Sequence, residues 1–346
     1  MIVRLVGSEM CIRDSYTTMQ LTDQFNRKIN YIRISVTDRC DFRCIYCMSE
    51  QMKFLPKKEL LTLEEINRIA SIFISMGVEK IRITGGEPLV RKNIDTLFNN
   101  LSKNKDLKEL TLTTNASQLM KKAEMLKASG IKRINISLDS LNPLNFKKMT
   151  RTGDLSNVLD GIEHAINIGL KQIKLNTVIM RGINDHEIFD LVEFAIKKNI
   201  DISFIEEMPL GDTAFSRKST FTSNDEVLKK IKANYLIDKI DYRTGGPAEY
   251  WQILSTKSRI GLISPHSHNF CEECNRVRIS CKGELFLCLG QDDKIELMPL
   301  LREYPNNDQP IKDAILNSMK IKPKSHEFNL EQNKPAVVRF MSHTGG

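Results

Sequence analysis

Segments with strand character alternate with segments of helical periodicity from Tyr31 to Glu207, and this alternation restricts the fold more than any other feature. The predicted strands are Tyr31–Thr37, Glu79–Thr84, Glu109–Thr114, Arg133–Leu138, Gln172–Ile179 and Asp201–Glu207. The helices predicted between them are Leu63–Met76, Ile94–Leu101, Gln118–Ser129, Leu155–Ile168 and His186–Lys198. Strands that are separated by helices form parallel sheets, so the sequence predicts an α/β fold.

The predicted strands are polar on one face. In the first strand Ile32 and Ile34 share one face, whereas Arg33 and Ser35 share the other. The polar faces of later strands carry Lys80, Arg82, Thr113, Asn135, Ser137, Lys174 and Asn176. Helical crossovers cover the faces of parallel sheets, and buried polar groups without partners are costly. We therefore predict a barrel-like sheet with a polar lumen; the alternative is an open sheet with one solvated face.

Three cysteines follow the first strand at C-x3-C-x2-C spacing: Cys40, Cys44 and Cys47. Thiolates hold the irons of a [4Fe–4S] cluster, and three of them leave one iron open to a small molecule. The alternative is a tetrahedral zinc site, which lacks a fourth ligand here. At the next strand end, Thr84-Gly85-Gly86-Glu87-Pro88 places two glycines where backbone can approach a ligand closely.

A second group of cysteines lies at Cys271, Cys274, Cys281 and Cys288. The C-x2-C pair indicates a metal site, and a structural zinc with all four thiolates is an alternative on spacing alone. Arg276 and Arg278 fall on one side if the segment after Cys274 is extended. Paired guanidinium groups beside a metal site suit a phosphate-bearing ligand; the alternative is two solvated surface arginines.

The formal net charge of +8 is spread along the chain without blocks of like charge. This distribution favours a small anionic substrate over nucleic acid. Eight cysteines in a chain of this length indicate metal ligands in a reducing, cytoplasmic compartment. No segment approaches the length of a membrane span. Residues Glu9 to Ser15 look like a translated library transposon end, so we predict that Met1 to Thr18 form a non-native leader; the alternative is a short disordered native tail.

The cysteine loop Cys40–Cys47, with Tyr46 before its last cysteine, resembles the radical S-adenosylmethionine (SAM) superfamily, and Thr84–Pro88 matches the GGEP motif of that superfamily. The resemblance implies a partial (βα)6 barrel. It further implies that Cys40, Cys44 and Cys47 hold a [4Fe–4S] cluster whose open iron binds SAM, and that the reduced cluster cleaves SAM to a 5′-deoxyadenosyl radical.

Further motifs narrow the resemblance to the GTP 3′,8-cyclase family of molybdenum-cofactor biosynthesis. These motifs are Leu21-Thr22-Asp23, Arg33–Cys40, the Cys271-x2-Cys274-x13-Cys288 spacing, Asn275–Arg278 and the final Gly345-Gly346. The resemblance covers residues 19 to 346. It implies a barrel over residues 19–235 and a C-terminal domain over 236–346, with a second [4Fe–4S] cluster on Cys271, Cys274 and Cys288 that meets the guanine of GTP.

The same resemblance implies roles for individual residues. Those implied to contact SAM are Tyr46, Gly86, Ser137 and Met208. Those implied to bind GTP are Arg33, Arg82, Thr113, Lys174, Arg276, Val277 and Arg278. Gly345 and Gly346 are implied to reach toward the active site and to be needed for activity; two terminal glycines otherwise indicate a frayed end.

The implied reaction is a lyase-class cyclisation. The deoxyadenosyl radical removes the ribose 3′ hydrogen of GTP, and the carbon radical attacks C8 of guanine. The implied partners are an electron donor and a downstream cyclic pyranopterin monophosphate synthase, with a homodimer allowed and neither nucleic acid nor a membrane expected. Two competing hypotheses are a radical SAM enzyme that modifies a peptide or RNA and a zinc-stabilised binding module without enzymatic activity.

Overall fold

A computed structural model describes residues 20–170, 172–211, 217–328 and 337–345. The predicted leader therefore lies outside the described residues, as does Gly346. One sheet organises the described part of the chain, with strand order β12-β11-β10-β1-β2-β3-β4-β5-β6-β9-β8-β7. The strands are β1 (Tyr31–Ser35), β2 (Lys80–Thr84), β3 (Glu109–Thr114), β4 (Arg133–Ser137), β5 (Ile173–Ile179), β6 (Asp201–Glu206), β7 (Ile237–Ile240), β8 (Glu249–Ile253), β9 (Arg259–Ile263), β10 (Arg276–Ile279), β11 (Glu284–Phe286) and β12 (Lys294–Glu296).

Helices connect the parallel strands and cover their apolar face. In chain order, the helices of the described residues are α1 (Leu63–Ser75), α2 (Ile94–Ser102), α3 (Leu119–Ala128), α4 (Pro143–Thr150), α5 (Leu155–Asn167), α6 (Ile188–Lys198), α7 (Arg217–Thr220), α8 (Asn224–Lys232), α9 (Met298–Glu303), α10 (Gln309–Met319) and α11 (Met341–Thr344), of which α1 to α6 make the connections between β1 and β6. Helix α1 shows why these segments of the sequence form helices that pack on the sheet. Thr62 and Glu65 form a reciprocal capping box at its start. Its buried residues, including Ile66, Ile69 and Phe73, then pack against the sheet.

The prediction of six βα units in a partial barrel is confirmed, because β1 to β6 pair in parallel and in sequence order. The polar strand faces point inward. Lys80, Arg82 and Lys174 are 8%, 4% and 7% exposed. The alternative of a solvated sheet face is therefore wrong, since these charged side chains are covered.

Several predicted strands and helices begin or end one or two residues away from their positions in the structure. The first strand ends at Ser35 and not at Thr37, because the Thr37 hydroxyl accepts a hydrogen bond from the Arg39 amide at 3.1 Å and starts a turn. The sequence analysis missed α4. Its signal was present, since the Asn142 side chain accepts hydrogen bonds from the amides of Leu144 and Asn145 and proline follows at the first helical position.

The segment after residue 236 extends the same sheet at both ends. Strand β9 pairs in parallel with β6, and β10 pairs in parallel with β1. The second pairing brings Arg278 into register with Arg33, which is itself in register with Arg82. Neighbours in register lie on the same face of a sheet. Chain segments 245 residues apart therefore contribute arginines to one wall of the lumen.

In the part of the chain that the structure describes, no helix has the length and apolar character needed to cross a bilayer.

Candidate active site

A first thiol set, Cys40, Cys44 and Cys47, lies on the loop that follows β1. All three thiols are free. Burial raises the pKa of each thiol, to about 12 for Cys47, and the thiols raise one another's pKa further: Cys47 acts on both Cys40 and Cys44. Three partly buried thiols that repel one another as thiolates need a shared positive charge, which iron supplies. The set therefore fits the ligation of an iron–sulfur cluster.

Contacts from the loop after β3 fix this cysteine loop. The Asp41 carboxylate accepts hydrogen bonds from Asn115 Nδ2 at 2.8 Å and Ser117 Oγ at 2.6 Å. Asn115 Nδ2 also lies 3.7 Å from Cys40 Sγ. The sequence analysis missed Asp41, although its position between two cysteines of the motif was a usable signal. These bonds set the direction of Cys40 before any cluster binds.

The glycine loop after β2 packs directly behind the cysteine loop. A Cβ on Gly86 would stand 2.3 Å from the carbonyl oxygen of Arg39, so only glycine permits this approach. The Glu87 amide donates to that same carbonyl at 2.8 Å. Burial raises the pKa of Glu87 to about 7, although its carboxyl accepts bonds from the amides of Asn115 and Leu89. The loop therefore braces the first thiol set.

One cavity inside the barrel collects most of the predicted site residues. Its lining includes the three side chains predicted to contact SAM, Tyr46, Ser137 and Met208. Gly86 lies outside this lining, against Arg39. Tyr46 donates a hydrogen bond to Asp139 Oδ2 at 2.7 Å, and burial raises the pKa of Asp139 to about 6. All residues predicted to bind GTP line the same cavity: Arg33, Arg82, Thr113, Lys174, Arg276, Val277 and Arg278.

A second thiol set, Cys271, Cys274 and Cys288, lines the cavity as well. Burial raises the pKa of Cys288, and Cys274 and Cys271 raise it further, so these three thiols also act on one another. Burial would raise the pKa of Cys274, but Lys322 and Arg276 outweigh burial and lower it. Three thiols grouped in one cavity fit a second cluster. Among the described residues, no three Cys, His, Asp or Glu side chains are arranged to hold a single metal ion.

Cys281 lies elsewhere. It is absent from the cavity lining, and the charges that act on its thiol come from Asp38, Glu284 and Arg91. Its carbonyl accepts a hydrogen bond from the Leu61 amide at 2.9 Å. The structure gives no support to the alternative of a four-thiol site that includes Cys281.

Five cations, which we call the cation wall, face the cavity: Arg33, Arg82, Lys174, Arg276 and Arg278. Arg82 donates to Tyr31 Oη at 2.8 Å and to Thr113 Oγ1 at 3.2 Å. The Nε of Arg33 is buried and has no hydrogen-bond partner among the described residues. Burial, with Arg82 and Arg133 nearby, lowers the pKa of Lys174 to about 7. Such a concentration of desolvated cations is unfavourable until an anion binds.

Two further cations line the cavity, Lys80 and Arg133. The sequence analysis placed Lys80 on the face that looks into the lumen but gave it no role in the site, and it missed Arg133. Both form ion pairs with Glu109, at 2.8 and 3.1 Å. Lys80 shares a strand face with Arg82, so the alternation of polar residues in β2 was a signal for it. The pairing with Glu109 was not readable, because Glu109 lies on the next strand.

The C-terminal tail enters the barrel. The Ser342 amide faces the sulfur of Cys47, and Met341 lines the cavity. Arg278 Nη1 donates to the Gly345 carbonyl at 2.5 Å. The structure therefore places Gly345 between the cation wall and the end of β2, whereas the prediction for Gly346 concerns a residue outside the described ranges.

Comparison with known proteins agrees with this geometry. A family model described as "Radical SAM superfamily" matches residues 34–195, and a model described as "Molybdenum Cofactor Synthesis C" matches residues 200–328. The solved structure of SuiB from Streptococcus suis has a TM-score of 0.59 at 17% identity, covering 92% of this chain and 78% of SuiB, which shows a shared fold alone. Fold and first thiol set thus define a radical SAM protein.

Relatives of known name resolve the family within that class. The GTP 3′,8-cyclase of Ectopseudomonas mendocina (strain ymp) is 50% identical over 330 residues, which cover 95% of this chain and 99% of the relative. The GTP 3′,8-cyclases of Saccharophagus degradans and Brucella ovis are each 49% identical, covering 94% and 95% of this chain and 98% and 96% of the relatives. The chain belongs to the GTP 3′,8-cyclase family.

Proposed function

We propose that this protein converts GTP to (8S)-3′,8-cyclo-7,8-dihydroguanosine 5′-triphosphate, the first step of molybdenum-cofactor biosynthesis. One observation carries the proposal beyond family membership: a wall of five cations lies in the same cavity as the second thiol set and three of the four residues predicted to contact SAM, Tyr46, Ser137 and Met208. A triphosphate is the kind of anion that such a wall suits, because guanidinium and ammonium groups form charge-assisted hydrogen bonds with phosphate oxygens.

Cys40, Cys44 and Cys47 would hold the first [4Fe–4S] cluster, with Tyr46, Gly86, Ser137 and Met208 placing SAM against it. When bound and reduced, that cluster supplies the electron that cleaves SAM to a 5′-deoxyadenosyl radical. Gly86 would act through the cysteine loop and its backbone, since its position is behind that loop. Tyr46 is held for this task by its bond to Asp139.

Cys271, Cys274 and Cys288 would hold a second [4Fe–4S] cluster that meets the guanine base. The cation wall, with Thr113 and the backbone of Val277, would fix the triphosphate. A substrate held at two places exposes one ribose hydrogen to the radical and presents C8 to the new carbon centre. Gly345 and Gly346 would complete the site from the tail, where Met341 lines the cavity and the Ser342 amide faces the sulfur of Cys47.

The remaining assignments follow from the family. The ring closure places the enzyme among the lyases. The barrel would span residues 19–235 and the C-terminal domain 236–346, in a cytoplasmic protein for which a homodimer is allowed. An electron donor would reduce the first cluster, and a cyclic pyranopterin monophosphate synthase would take the product.

The decisive experiment is anaerobic. The protein is reconstituted with iron and sulfide and mixed with dithionite, SAM and GTP, and 5′-deoxyadenosine and nucleotide products are followed by mass spectrometry. We expect deoxyadenosine together with a new product isobaric with GTP. Deoxyadenosine with GTP unchanged would keep the radical SAM class and reject the cyclase. If the protein is colourless, contains zinc and forms neither deoxyadenosine nor a new nucleotide, the radical SAM class and the cyclase are both rejected.

The cation wall predicts a pH-dependent affinity for GTP. The Lys174 ammonium is fully present below about pH 7 and is lost above it, whereas bound triphosphate favours its charged form. Ionisation of Tyr31 also lowers the affinity for GTP as pH rises. Burial raises the pKa of Tyr31, but Arg82, Arg33, Lys80 and Arg276 outweigh burial and lower it to about 7, so a phenolate that repels phosphate forms as pH rises.

We therefore expect KM for GTP to rise between pH 7 and pH 9 in the unsubstituted enzyme. Lys174→Met should raise KM about 10- to 100-fold at neutral pH, since a charge-assisted hydrogen bond contributes about 1.5–3 kcal/mol. It should also flatten the pH profile, and Tyr31→Phe should flatten it without the large change at neutral pH. Profiles with unchanged slopes in both variants would contradict this assignment.

Iron content separates the thiol sets from Cys281. Two cubane clusters require about eight irons per chain, and Cys274→Ala should leave about four. Cys281→Ala should leave about eight, because its thiol faces Asp38 and Arg91 and not the second thiol set. A loss of iron in Cys281→Ala comparable to that in Cys274→Ala would make Cys281 a ligand.

A further inference from the structure

Lys322 is a buried cation without a carboxylate partner. Its side chain is 1% exposed. Its Nζ donates to the Leu287 carbonyl at 2.6 Å and lies 3.6 Å from Cys274 Sγ. In the part of the chain that the structure describes, no Asp or Glu forms an ion pair with it. An ammonium group that is removed from water in this way is strongly unfavourable unless an anion lies nearby.

The anion within reach is the sulfur of Cys274. Lys322 belongs to none of the motifs that define the site, and it follows α10 by three residues. Neutral thiols would leave the ammonium group with one carbonyl as its partner. Thiolates bound to iron would give it a charged acceptor at hydrogen-bond distance from sulfur.

The backbone around Lys322 is fixed independently of its side chain. Gln24 Nε2 donates to the Lys322 carbonyl at 3.0 Å. Arg27 donates to the carbonyls of Pro323 at 2.6 Å and Lys324 at 2.8 Å, and its Nη1 also donates to the carbonyl of Cys271 at 2.7 Å. One arginine thus ties the Lys322 segment to the second thiol set. The N-terminal segment therefore holds the backbone at Lys322, whereas the loop after β11 accepts the hydrogen bond from the ammonium group.

We propose that Lys322 is a positioning residue that holds the Cys274 thiolate and raises the reduction potential of the second cluster through an N–H···S hydrogen bond. The inference rests on the proposed assignment of that cluster to Cys271, Cys274 and Cys288. Hydrogen bonds to sulfur and nearby positive charge both stabilise the reduced state, which carries one more electron. Lys322 therefore tunes the metal centre without contacting GTP or the reacting atoms.

The test isolates the second cluster in the full chain. Cys40, Cys44 and Cys47 are replaced by alanine, the protein is reconstituted anaerobically, and the midpoint potential is measured by a dithionite titration with electron paramagnetic resonance. Lys322→Met removes the charge and the donors at similar length. Lys320→Met is the matched control, because Lys320 is exposed, two residues away, and changes the net charge equally.

We expect Lys322→Met to shift the one-electron equilibrium at least about tenfold toward the oxidised cluster, a fall of about 59 mV, with Lys320→Met unchanged. Equal potentials in the two variants would overturn the proposal for Lys322 and leave the second cluster in place. Absence of iron from the triple-cysteine background with Lys322 intact would instead reject the second cluster itself. If Lys322→Met fails to fold, Lys322→Leu, which likewise has neither charge nor donors, is measured, and a potential unchanged from that of the Lys320→Met control overturns the proposal equally.

Discussion

Replacing Cys44 by alanine is expected to abolish 5′-deoxyadenosine formation, by more than about 10³-fold, or over about 4 kcal/mol of barrier. Cys44 is central to the first thiol set, since its thiol interacts with both Cys40 and Cys47. Its carbonyl also accepts hydrogen bonds from the amides of Cys47 and Met48 at 3.0 and 3.2 Å, so the loop keeps its shape when the thiol is removed. The loss would therefore report on cluster ligation and not on a collapsed loop.

Cys281→Ala is the matched control for Cys44→Ala. Both substitutions remove one sulfur from a largely covered position, and Cys281 is 1% exposed. We expect deoxyadenosine formation to persist in Cys281→Ala, with wild-type thermal stability to within about 1–2 kcal/mol for a small buried side chain. If both variants lose deoxyadenosine formation together, the defect would lie in folding, and the assignment of the first thiol set would lose its support.

The sequence was sufficient for the barrel because its signals are local. Alternating polar and apolar residues in β1, β2 and β5 determine which face looks inward, and helix periodicity between them determines a parallel sheet. The first thiol set follows β1 and the glycine loop follows β2. Because these strands are parallel neighbours, topology alone predicts that the two loops lie close together. Strand ends were less predictable, as Thr37 shows, because a side-chain hydrogen bond ended β1 early.

The pairing of β10 with β1 was beyond local reasoning. No pattern in Arg276–Ile279 states which strand it joins, and this pairing places Arg276 and Arg278 beside Tyr31 and Arg33. For that reason the sequence analysis kept the alternative that Arg276 and Arg278 are solvated surface residues. The same limit hid Lys322, whose buried position depends on Arg27 from the start of the chain. Packing between distant segments, and not propensity, decides such contacts.

Substituting Gly345 by alanine is the second change with a large expected effect. Gly345 has a φ of +78°, and an added Cβ would stand 2.1 Å from Thr84 Cγ2 and 2.7 Å from Thr84 Oγ1. Thr84 is 1% exposed and β-branched, so it has little freedom to move aside. The tail must then withdraw from the barrel, which also breaks the bond from Arg278 to the Gly345 carbonyl.

Product formation from GTP should then fall about 10²-fold, the cost typical of a group misplaced by about 1 Å in an active site. Iron content should stay near the unsubstituted value, and deoxyadenosine should still form without matching product, because none of the six cysteines of the two thiol sets is replaced. Gly130→Ala is the control for backbone strain, since Gly130 has a φ of +68° with nothing within 4 Å of the added Cβ. It should retain cyclisation. If Gly345→Ala cyclises GTP as well as Gly130→Ala, the tail has no part in the reaction, and Arg278 must hold the triphosphate unaided by the glycine pair.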